Sequence, residues 1–240
     1  MSCTKKGYKS IFGNPQRTSL VYIEKLEKIF QRKYEILVPD ALDGQHTLPF
    51  ARKRHLVSCY ETNDIYLNGG FIDGFDCIGL KKRLNYENLD KNVNLVQKNF
   101  YKEKVNKKYD FVYSYRSLHL NKNKEIPMSR KVRKLLSAVK VNGYIYIFYH
   151  LAIDEDNYEK YSKEQYLRSG EMKKYFDIDN WEIITIIERE NDMIHRPHPN
   201  NNEIHFHRVG YVFARKKNNR LKYRLNFKIT IENEFDFKKG

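Results

Sequence analysis

The chain has 240 residues, of which 40% are hydrophobic and 14% aromatic, and it carries a formal net charge of +15. This composition supplies a full hydrophobic core and excludes a generally disordered protein. No apolar run approaches the roughly 18 residues of a membrane helix, and the N-terminus lacks a signal-peptide core, so we expect a cytoplasmic protein without a membrane partner.

The first part of the chain predicts a basic arm followed by alternating helices and strands. Residues 1–16 are basic and lack a clear period. Apolar residues recur at helical spacing over 20–30, which predicts a helix. A short strand at Ile36–Val38, a helix over 45–53 and a second strand at Leu56–Tyr60 follow.

The rest of the chain continues this alternation and closes with two strands. Such an order predicts an α/β fold, with a Rossmann-like, doubly wound, mostly parallel sheet and an antiparallel closing strand. The domain spans 17–217, between the N-terminal arm and a C-terminal strand appendage at 218–240. The remaining predicted elements are helices at Leu80–Leu89, Ser129–Val139 and Lys163–Phe176, and strands at Asn92–Gln97, Phe111–Tyr113, Tyr144–Tyr149, Trp181–Glu188 and His207–Ala214.

The turn after the first strand and the end of the second strand form a candidate ligand site. In an open α/β sheet, nucleotide-like ligands bind beside the carboxyl ends of the strands. An acidic residue at the end of the second strand, about 20 residues downstream, can accept hydrogen bonds from ribose hydroxyls. Here Asp40, Asp43 and Gly44 lie in the turn, and Glu61 follows the second strand.

Four later segments carry a family resemblance. YDFVYSYRSLHL (Tyr109–Leu120) resembles a fourth strand and its loop, and Lys131–His150 resembles the next helix, turn and strand. Tyr166–Glu190 resembles a capped helix followed by a W-x-I strand and a glutamate, and His205–Lys217 resembles the last strand. In order and spacing, over roughly 34–217, they are similar to class I S-adenosylmethionine-dependent methyltransferases, nearest to the tellurite-resistance-type small-molecule subgroup. The resemblance implies this fold, this activity and S-adenosylmethionine as the cofactor.

One motif departs from the family. Its first loop usually reads acid-x-G-x-G-x-G, whereas the loop at Val38–Gly44 keeps only Gly44 and is degenerate. Residues with a Cβ restrict the dihedral angles of such a turn and crowd a ligand against the backbone. Asp40 or Asp43 then replaces the missing acid and holds the methionine amine, or the pocket is degenerate. The long interval after the second strand also predicts an insertion near Leu67–Gly79.

The resemblance assigns cofactor contacts to several residues. Glu61 binds the ribose, Asn99 reads the adenine amino group and Phe100 packs on the ring. Each has a structural alternative: a solvated strand-end glutamate, a turn residue and a core aromatic residue. The assigned cofactor-binding residues are Asp40, Asp43, Gly44, Glu61, Asn99, Phe100 and Ser114.

The loop after the fourth strand carries the candidate catalytic residues. Ser114 and Tyr115 line the cofactor and present the substrate, while Arg116 and His119 meet an anionic substrate. Aligning the acceptor supplies much of the rate of methyl transfer, and a general base helps when the acceptor carries a proton. Tyr115 and His119 are the candidates for this base, with a histidine of the 195–207 cluster as a further option.

Two other clusters of residues, one of histidines and one of basic residues, have an interpretation that requires no functional role. The histidines at 195–207 are compatible with zinc chemistry, but a Pro- and Asn-rich loop separates them and no carboxylate or cysteine is fixed beside them, so we expect no metal. The basic residues at 122–140, including Arg130, Lys131, Arg133 and Lys134, are typical of a solvated helix face. A phosphate-binding stripe is the functional alternative.

The leading hypothesis is a methyltransferase that acts on an anionic small-molecule or RNA acceptor. The net charge favours an anionic partner, although a lysine-rich composition without functional meaning explains the charge equally well. A second hypothesis is a catalytically inactive relative that binds nucleic acid or a protein partner. A third is another enzyme on this fold, acting on a nucleotide-like ligand through Asp40, Asp43 or His119.

Overall fold

A computed structural model describes residues 9–15, 17–152, 166–190, 193–195 and 203–218. None of its helices in these ranges is long and apolar enough to cross a membrane. The helices are α1 (Arg17–Phe30), α2 (Thr47–Arg52), α3 (Asp64–Asn68), α4 (Leu80–Tyr86) and α5 (Met128–Ser137). The strands are β1 (Glu35–Val38), β2 (Leu56–Tyr60), β3 (Gly70–Ile72), β4 (Phe75–Cys77), β5 (Val93–Val96), β6 (Tyr109–Ser114), β7 (Val139–Leu151), β8 (Trp181–Glu188), β9 (Met193–His195) and β10 (His205–Lys216).

The main sheet has the predicted doubly wound topology. Its strands lie in the order β5-β2-β1-β6-β7-β10-β8, and β9 pairs with β10. The first five strands of this order are parallel, whereas β10 runs antiparallel to both β7 and β8. The chain leaves β1 toward one side of the sheet and returns to β6 on the other. The topological switch point, where ligands of open α/β sheets bind, therefore lies between β1 and β6.

The core explains why β7 is a continuous apolar and aromatic run. Alternate residues of a strand face opposite sides of the sheet. Tyr146 and Phe148 belong to the core cluster that contains α1, while Ile145 and Ile147 belong to the cluster that contains α5. Both faces are covered, as expected for parallel strands within a doubly wound sheet.

Several predicted elements differ from the structure in their bounds, and one predicted helix is absent from the described residues; for example, α4 ends at Tyr86 and β7 is longer than the predicted strand Tyr144–Tyr149. The third predicted strand, Asn92–Gln97, is shorter, because Asn92 closes a 3-10 helix and β5 is Val93–Val96. The helix predicted at Lys163–Phe176 is wrong over its described part, which contains a bridge from Leu167 to Leu151 and a 3-10 helix at Met172–Tyr175. Gly170 adopts a φ of 78°, which is incompatible with a continuous helix. The C-terminal strand predicted after Lys217 lies outside the described residues.

The segment between α3 and α4 is a small antiparallel hairpin made of β3 and β4. It lies where the sequence predicts an insertion. Gly79 and Gly69 close its base, since a Cβ on Gly79 would lie 2.3 Å from the Gly69 backbone nitrogen and 2.5 Å from the Asn68 carbonyl carbon. Gly74 lies within the hairpin with the same φ of 85°, but nothing lies within 4 Å of its Cβ position.

This pair of glycines gives a matched test of backbone packing. Gly79→Ala and Gly74→Ala should both carry the cost of a positive φ, about 1–2 kcal/mol for Gly74, whereas the φ of 85° and ψ of 145° of Gly79 lie in a region that is almost reserved for glycine. Gly79→Ala should lose about 1–3 kcal/mol more, because rigid backbone atoms occupy the Cβ position. Unfolding of both variants in urea measures the difference, and equal losses would contradict the close backbone approach.

Candidate functional site

The loop after β1 reverses without the glycines of the family pattern. Leu42 adopts a φ of 51° and Gly44 a φ of 92°, so a leucine supplies one of the two left-handed positions. The Ala41 N–H donates to the Tyr60 carbonyl at 2.8 Å, and the Leu42 N–H donates to Glu61 Oε2 at 2.9 Å. These contacts fix the loop against the end of β2 and compensate for the strained backbone.

Glu61 lies at this junction and is fully buried. Its Oε1 accepts hydrogen bonds from the N–H groups of Thr62 and Asn63 at 2.7 and 2.9 Å and from Lys122 Nζ at 2.6 Å. With the Leu42 contact on Oε2, the carboxylate accepts four hydrogen bonds. It is a buried carboxyl group held by four donors and not a solvated strand-end residue.

Asp40 is the second carboxylate at the switch point. Its Oδ1 lies 2.8 Å from Lys122 Nζ, and its Oδ2 accepts a hydrogen bond from Asn123 Nδ2 at 3.2 Å. Burial, together with the nearby Glu61 charge, raises the pKa of Asp40 to about 7, although Lys122 opposes this shift. The two carboxylates raise the pKa of Lys122, which remains a cation. Lys122 thus bridges two buried acids from separate loops.

The segment after β6 covers the switch point. It begins at Arg116, which adopts a left-handed φ of 60°. Ser114 Oγ lies 2.6 Å from Ser117 Oγ, which in turn lies 2.6 Å from the Tyr101 hydroxyl. Tyr101 and both serines are buried. This hydroxyl chain joins the end of β6 to the loop that follows β5.

Asn99 lies at the edge of this network. Its side-chain Nδ2 donates to Asn123 Oδ1 at 2.9 Å, and its Oδ1 accepts from the Tyr101 N–H at 2.9 Å. Asn123 Nδ2 also donates to the Ser117 carbonyl at 2.8 Å. Asn99 therefore has the contact of a turn residue and also touches the group that includes Asp40, and its role in cofactor binding stays a prediction.

Lys131 corrects the interpretation of the basic helix as a solvated face. This residue of α5 is fully buried, and its ammonium donates to the Leu118 carbonyl and, at 3.3 Å, to the Asn123 carbonyl. Burial lowers the pKa of Lys131 to about 8. Lys131 thus binds both ends of the segment that carries Lys122. Arg133 on the same helix, in contrast, is exposed.

Asp43 and Gly44 have other contacts. Asp43 accepts hydrogen bonds from Ser10 Oγ at 2.7 Å and from the Ile11 N–H at 2.9 Å, so it ties the N-terminal arm to the loop. Arg83 of α4 lies 3.3 Å from the same carboxylate. A Cβ on Gly44 would lie 2.3 Å from a Leu48 methyl group, so this glycine permits close packing within the protein. Asp40, and not Asp43, shares a partner with Glu61.

Phe100 and Tyr115 lie in aromatic packing. Phe100 is fully buried, with its ring centroid 5.3 Å from that of Tyr60. The structure thus places Phe100 in a core cluster, and its packing on the adenine ring stays a prediction. The Tyr115 ring packs at 4.3 Å on His46 and at 4.6 Å on Phe148. The catalytic role of Tyr115 stays a prediction.

His119 belongs to a row of three stacked imidazole rings. Its centroid lies 4.6 Å from that of His150, which lies 4.1 Å from that of His207. His119 Nε2 accepts the His150 backbone N–H at 2.9 Å, so the neutral ring carries its proton on Nδ1. Among the described residues, no group of three or more His, Cys, Asp or Glu is arranged to hold a metal ion.

A second polar feature lies at the same edge of the sheet, at the ends of β7 and β8. It is a cavity of about 230 Å³. Glu188 at its wall accepts hydrogen bonds from neutral donors, the Tyr149 hydroxyl at 2.9 Å, Ser169 Oγ at 2.6 Å and the Gly170 N–H at 2.8 Å. The charged lining residues are Arg168, Arg189, Arg208, Glu188 and Glu190.

Sequence reasoning missed four residues of the switch-point network: Lys122, Asn123, Tyr101 and Ser117. Lys122 and Asn123 lie in the polar run NKNK, which looks like an ordinary solvated loop. Their one local signal is position, because they lie within ten residues of the end of β6 at the switch point. Their contacts with Asp40 and Glu61 depend on loops that are distant in the chain.

The comparisons with known proteins agree with this architecture. The family profile described as "Tellurite resistance protein TehB" matches residues 22–212. No curated protein sequence matches significantly. The chain is similar in structure to TehB from Haemophilus influenzae, with 16% identity and a TM-score of 0.60 over 82% of this chain. It spans 62% of the length of that relative.

Two further similar structures were crystallised with S-adenosylhomocysteine. One is the 1,6-didemethyltoxoflavin-N1-methyltransferase of Burkholderia thailandensis, with 12% identity, a TM-score of 0.51, and 81% of this chain and 76% of that chain covered. The other is the N-methyltransferase NodS of Bradyrhizobium japonicum, with 8% identity, a TM-score of 0.51, and 85% and 89% covered. The predicted family and fold are confirmed. The chain belongs to the TehB family and has the fold of class I S-adenosylmethionine-dependent methyltransferases.

Proposed function

We propose that the protein transfers a methyl group from S-adenosylmethionine to a small anionic molecule. The observation that carries this proposal is the buried pair of carboxylates, Asp40 and Glu61, at the topological switch point of a sheet of this family. Buried charges are costly unless they have partners. Their presence at the ligand-binding position of the fold favours a ligand with cationic or hydroxyl donors.

The residues fit this cofactor by the chemistry of their acceptors. Glu61 at the end of β2 would hold the two ribose hydroxyls, and Asp40 in the loop after β1 would hold the methionine amine. Asn99 would contact the adenine. The two acids already accept a cationic donor, because the Lys122 ammonium group lies 2.8 Å from Asp40 and 2.6 Å from Glu61.

The protein's contribution to the reaction is positioning and charge. The bound cofactor supplies an activated methyl group that is transferred in line to a nucleophile. The rigid hydroxyl chain of Ser114, Ser117 and Tyr101 shapes the wall beside it, and orientation of the acceptor supplies much of the rate. His119 Nε2 already accepts the His150 backbone N–H, so this histidine holds the loop in position. Nε2 is open to another role only when that hydrogen bond breaks.

A small anionic acceptor is supported by the cavity at the ends of β7 and β8. Its volume of about 230 Å³ suits a metabolite or an oxyanion better than RNA, and Arg168, Arg189 and Arg208 outnumber the two glutamates that line it. The net charge of +15 attracts anions toward the molecule. The family description, which names tellurite resistance, is compatible with a small anion.

Methyl transfer is tested with isotopically labelled S-adenosylmethionine and a panel of acceptors. We expect label in small anions that carry a nucleophilic oxygen, nitrogen or sulfur, including phosphorylated sugars, carboxylates and chalcogen oxyanions, and not in their uncharged analogues. Label in RNA alone would favour the nucleic-acid alternative. No label in any acceptor, with cofactor bound, would contradict the proposed reaction.

The cavity arginines give a separate prediction. Arg189→Ala and Arg208→Ala should each raise the KM for the anionic acceptor about tenfold or more, because a charge-assisted hydrogen bond contributes about 1.5–3 kcal/mol. The affinity for the cofactor should not change. Steady-state kinetics measure both quantities, with the exposed Arg133→Ala as the control. An unchanged KM would place the acceptor elsewhere.

A further inference from the structure

Among the described residues, four groups donate hydrogen bonds to Glu61, and Lys122 is the one side chain among them. The other three are backbone N–H groups of Leu42, Thr62 and Asn63, which the folded loops hold in place. Given the cofactor site proposed above, we propose that Lys122 gates it: its ammonium group competes with the cofactor for Asp40 and Glu61 and must withdraw when the cofactor binds.

The hydrogen-bonding capacity of Glu61 requires this competition. An ionised carboxylate offers about four acceptor sites. Four donors already contact Glu61, so two ribose hydroxyls cannot be added to the existing set. The backbone donors cannot leave without unfolding the loops after β1 and β2. Lys122 is the donor that can be replaced by rotation about its side-chain bonds.

The balance of charge leads to the same conclusion. Above pH 7, where Asp40 is ionised, Asp40 and Glu61 supply two negative charges, and Lys122 supplies one positive charge within 2.8 Å of both. The cofactor brings an amine cation and a sulfonium to the same acids. Keeping Lys122 in place would set like charges beside one another in a buried site, where their repulsion is strong.

The backbone around Lys122 is anchored, so the side chain is the part that moves. Lys131 holds the carbonyls of Leu118 and Asn123 on the inner side. Asn123 also donates to Asp40 and to the Ser117 carbonyl. The Lys122 side chain is 23% exposed, so it has a route to solvent without movement of the segment.

Binding of S-adenosylhomocysteine to Lys122→Met tests the gate. Methionine keeps most of the length of the side chain and removes the ammonium group, so the variant should bind the probe about tenfold more tightly than the wild type by calorimetry at pH 8. The exposed Lys91→Met, which removes one charge far from the site, should leave the affinity unchanged. Equal or weaker binding by Lys122→Met would overturn the gate and assign Lys122 to holding the cofactor.

The same titrations separate the gate from the proposed function. If the wild type binds the probe and Lys122→Met binds no more tightly, the gate alone fails. If neither protein binds at millimolar probe, with both folded by circular dichroism, the cofactor site fails and the gate with it.

A measurement on the wild type avoids any dependence on a folded variant. Trace acetylation followed by peptide mass spectrometry reports the reactivity of each lysine, with Lys91 as the internal reference. Withdrawal of Lys122 toward solvent should raise its reactivity severalfold when S-adenosylhomocysteine is added. A fall or no change, at probe concentrations that saturate binding, would overturn the gate.

Discussion

Glu61→Gln is expected to reduce cofactor affinity at least a hundredfold and to lower the free energy of unfolding by about 2–4 kcal/mol. The amide has one acceptor oxygen where the carboxylate has two, yet the Leu42 N–H meets one side and the Thr62 N–H, the Asn63 N–H and Lys122 meet the other. One side must therefore face an NH₂ group. Lys122 also loses one of its two anionic partners.

Calorimetry with S-adenosylhomocysteine and unfolding in urea measure the two effects. The exposed Glu125→Gln makes the same chemical change on the segment that carries Lys122, and it should alter neither quantity. Loss of stability with unchanged affinity would show that Glu61 has a structural role only. An unchanged cofactor affinity together with an unchanged free energy of unfolding would contradict the buried network described for this carboxylate.

Asp40 is expected to make the protein less stable as the pH rises from about 4 to 7. Its pKa is raised to about 7 in the folded protein, mainly by burial and then by Glu61, and is near 3.9 in an unfolded chain. Between these values the folded state holds a proton that the unfolded chain has released. Stability therefore falls with pH across this window, by about 2–4 kcal/mol in total, and the contribution of Asp40 is constant above it.

Other groups titrate in the same range, so the comparison is made with Asp40→Asn. The charged or titratable groups that face Asp40 are Glu61, Lys122, Lys131 and Tyr101, and burial raises the pKa of Tyr101 further above this window. The stability of the wild type minus that of the variant, from urea unfolding at several pH values, should fall from pH 4 to pH 7. A flat or rising difference would mean that Lys122 keeps Asp40 ionised throughout.

The same titration predicts how ligand binding depends on pH. A cationic donor on Asp40 favours the ionised carboxylate, so binding below pH 7 should release a proton. Calorimetry in two buffers of different ionisation enthalpy detects that proton.

The elements of the fold were predictable because their signals are local. The strands at Ile36–Val38 and Leu56–Tyr60 follow from short apolar runs, and the parallel sheet follows from their alternation with helices. The helix predicted over Lys163–Phe176 from a candidate cap at Ser162 failed over its described part, because the left-handed backbone of Gly170 interrupts the segment.

The sequence by itself determined that two acids, Asp40 and Glu61, follow neighbouring parallel strands. The two acids therefore lie close together, because parallel strands end at the same edge of a sheet. Only the tertiary structure decided which residues meet them. Lys122 reaches Glu61 across 61 residues and Asn123 reaches Asp40 across 83, and Lys131 is buried beneath both. Contacts between such distant residues depend on how the loops pack around the switch point, and no local pattern of charge or hydrophobicity encodes that packing.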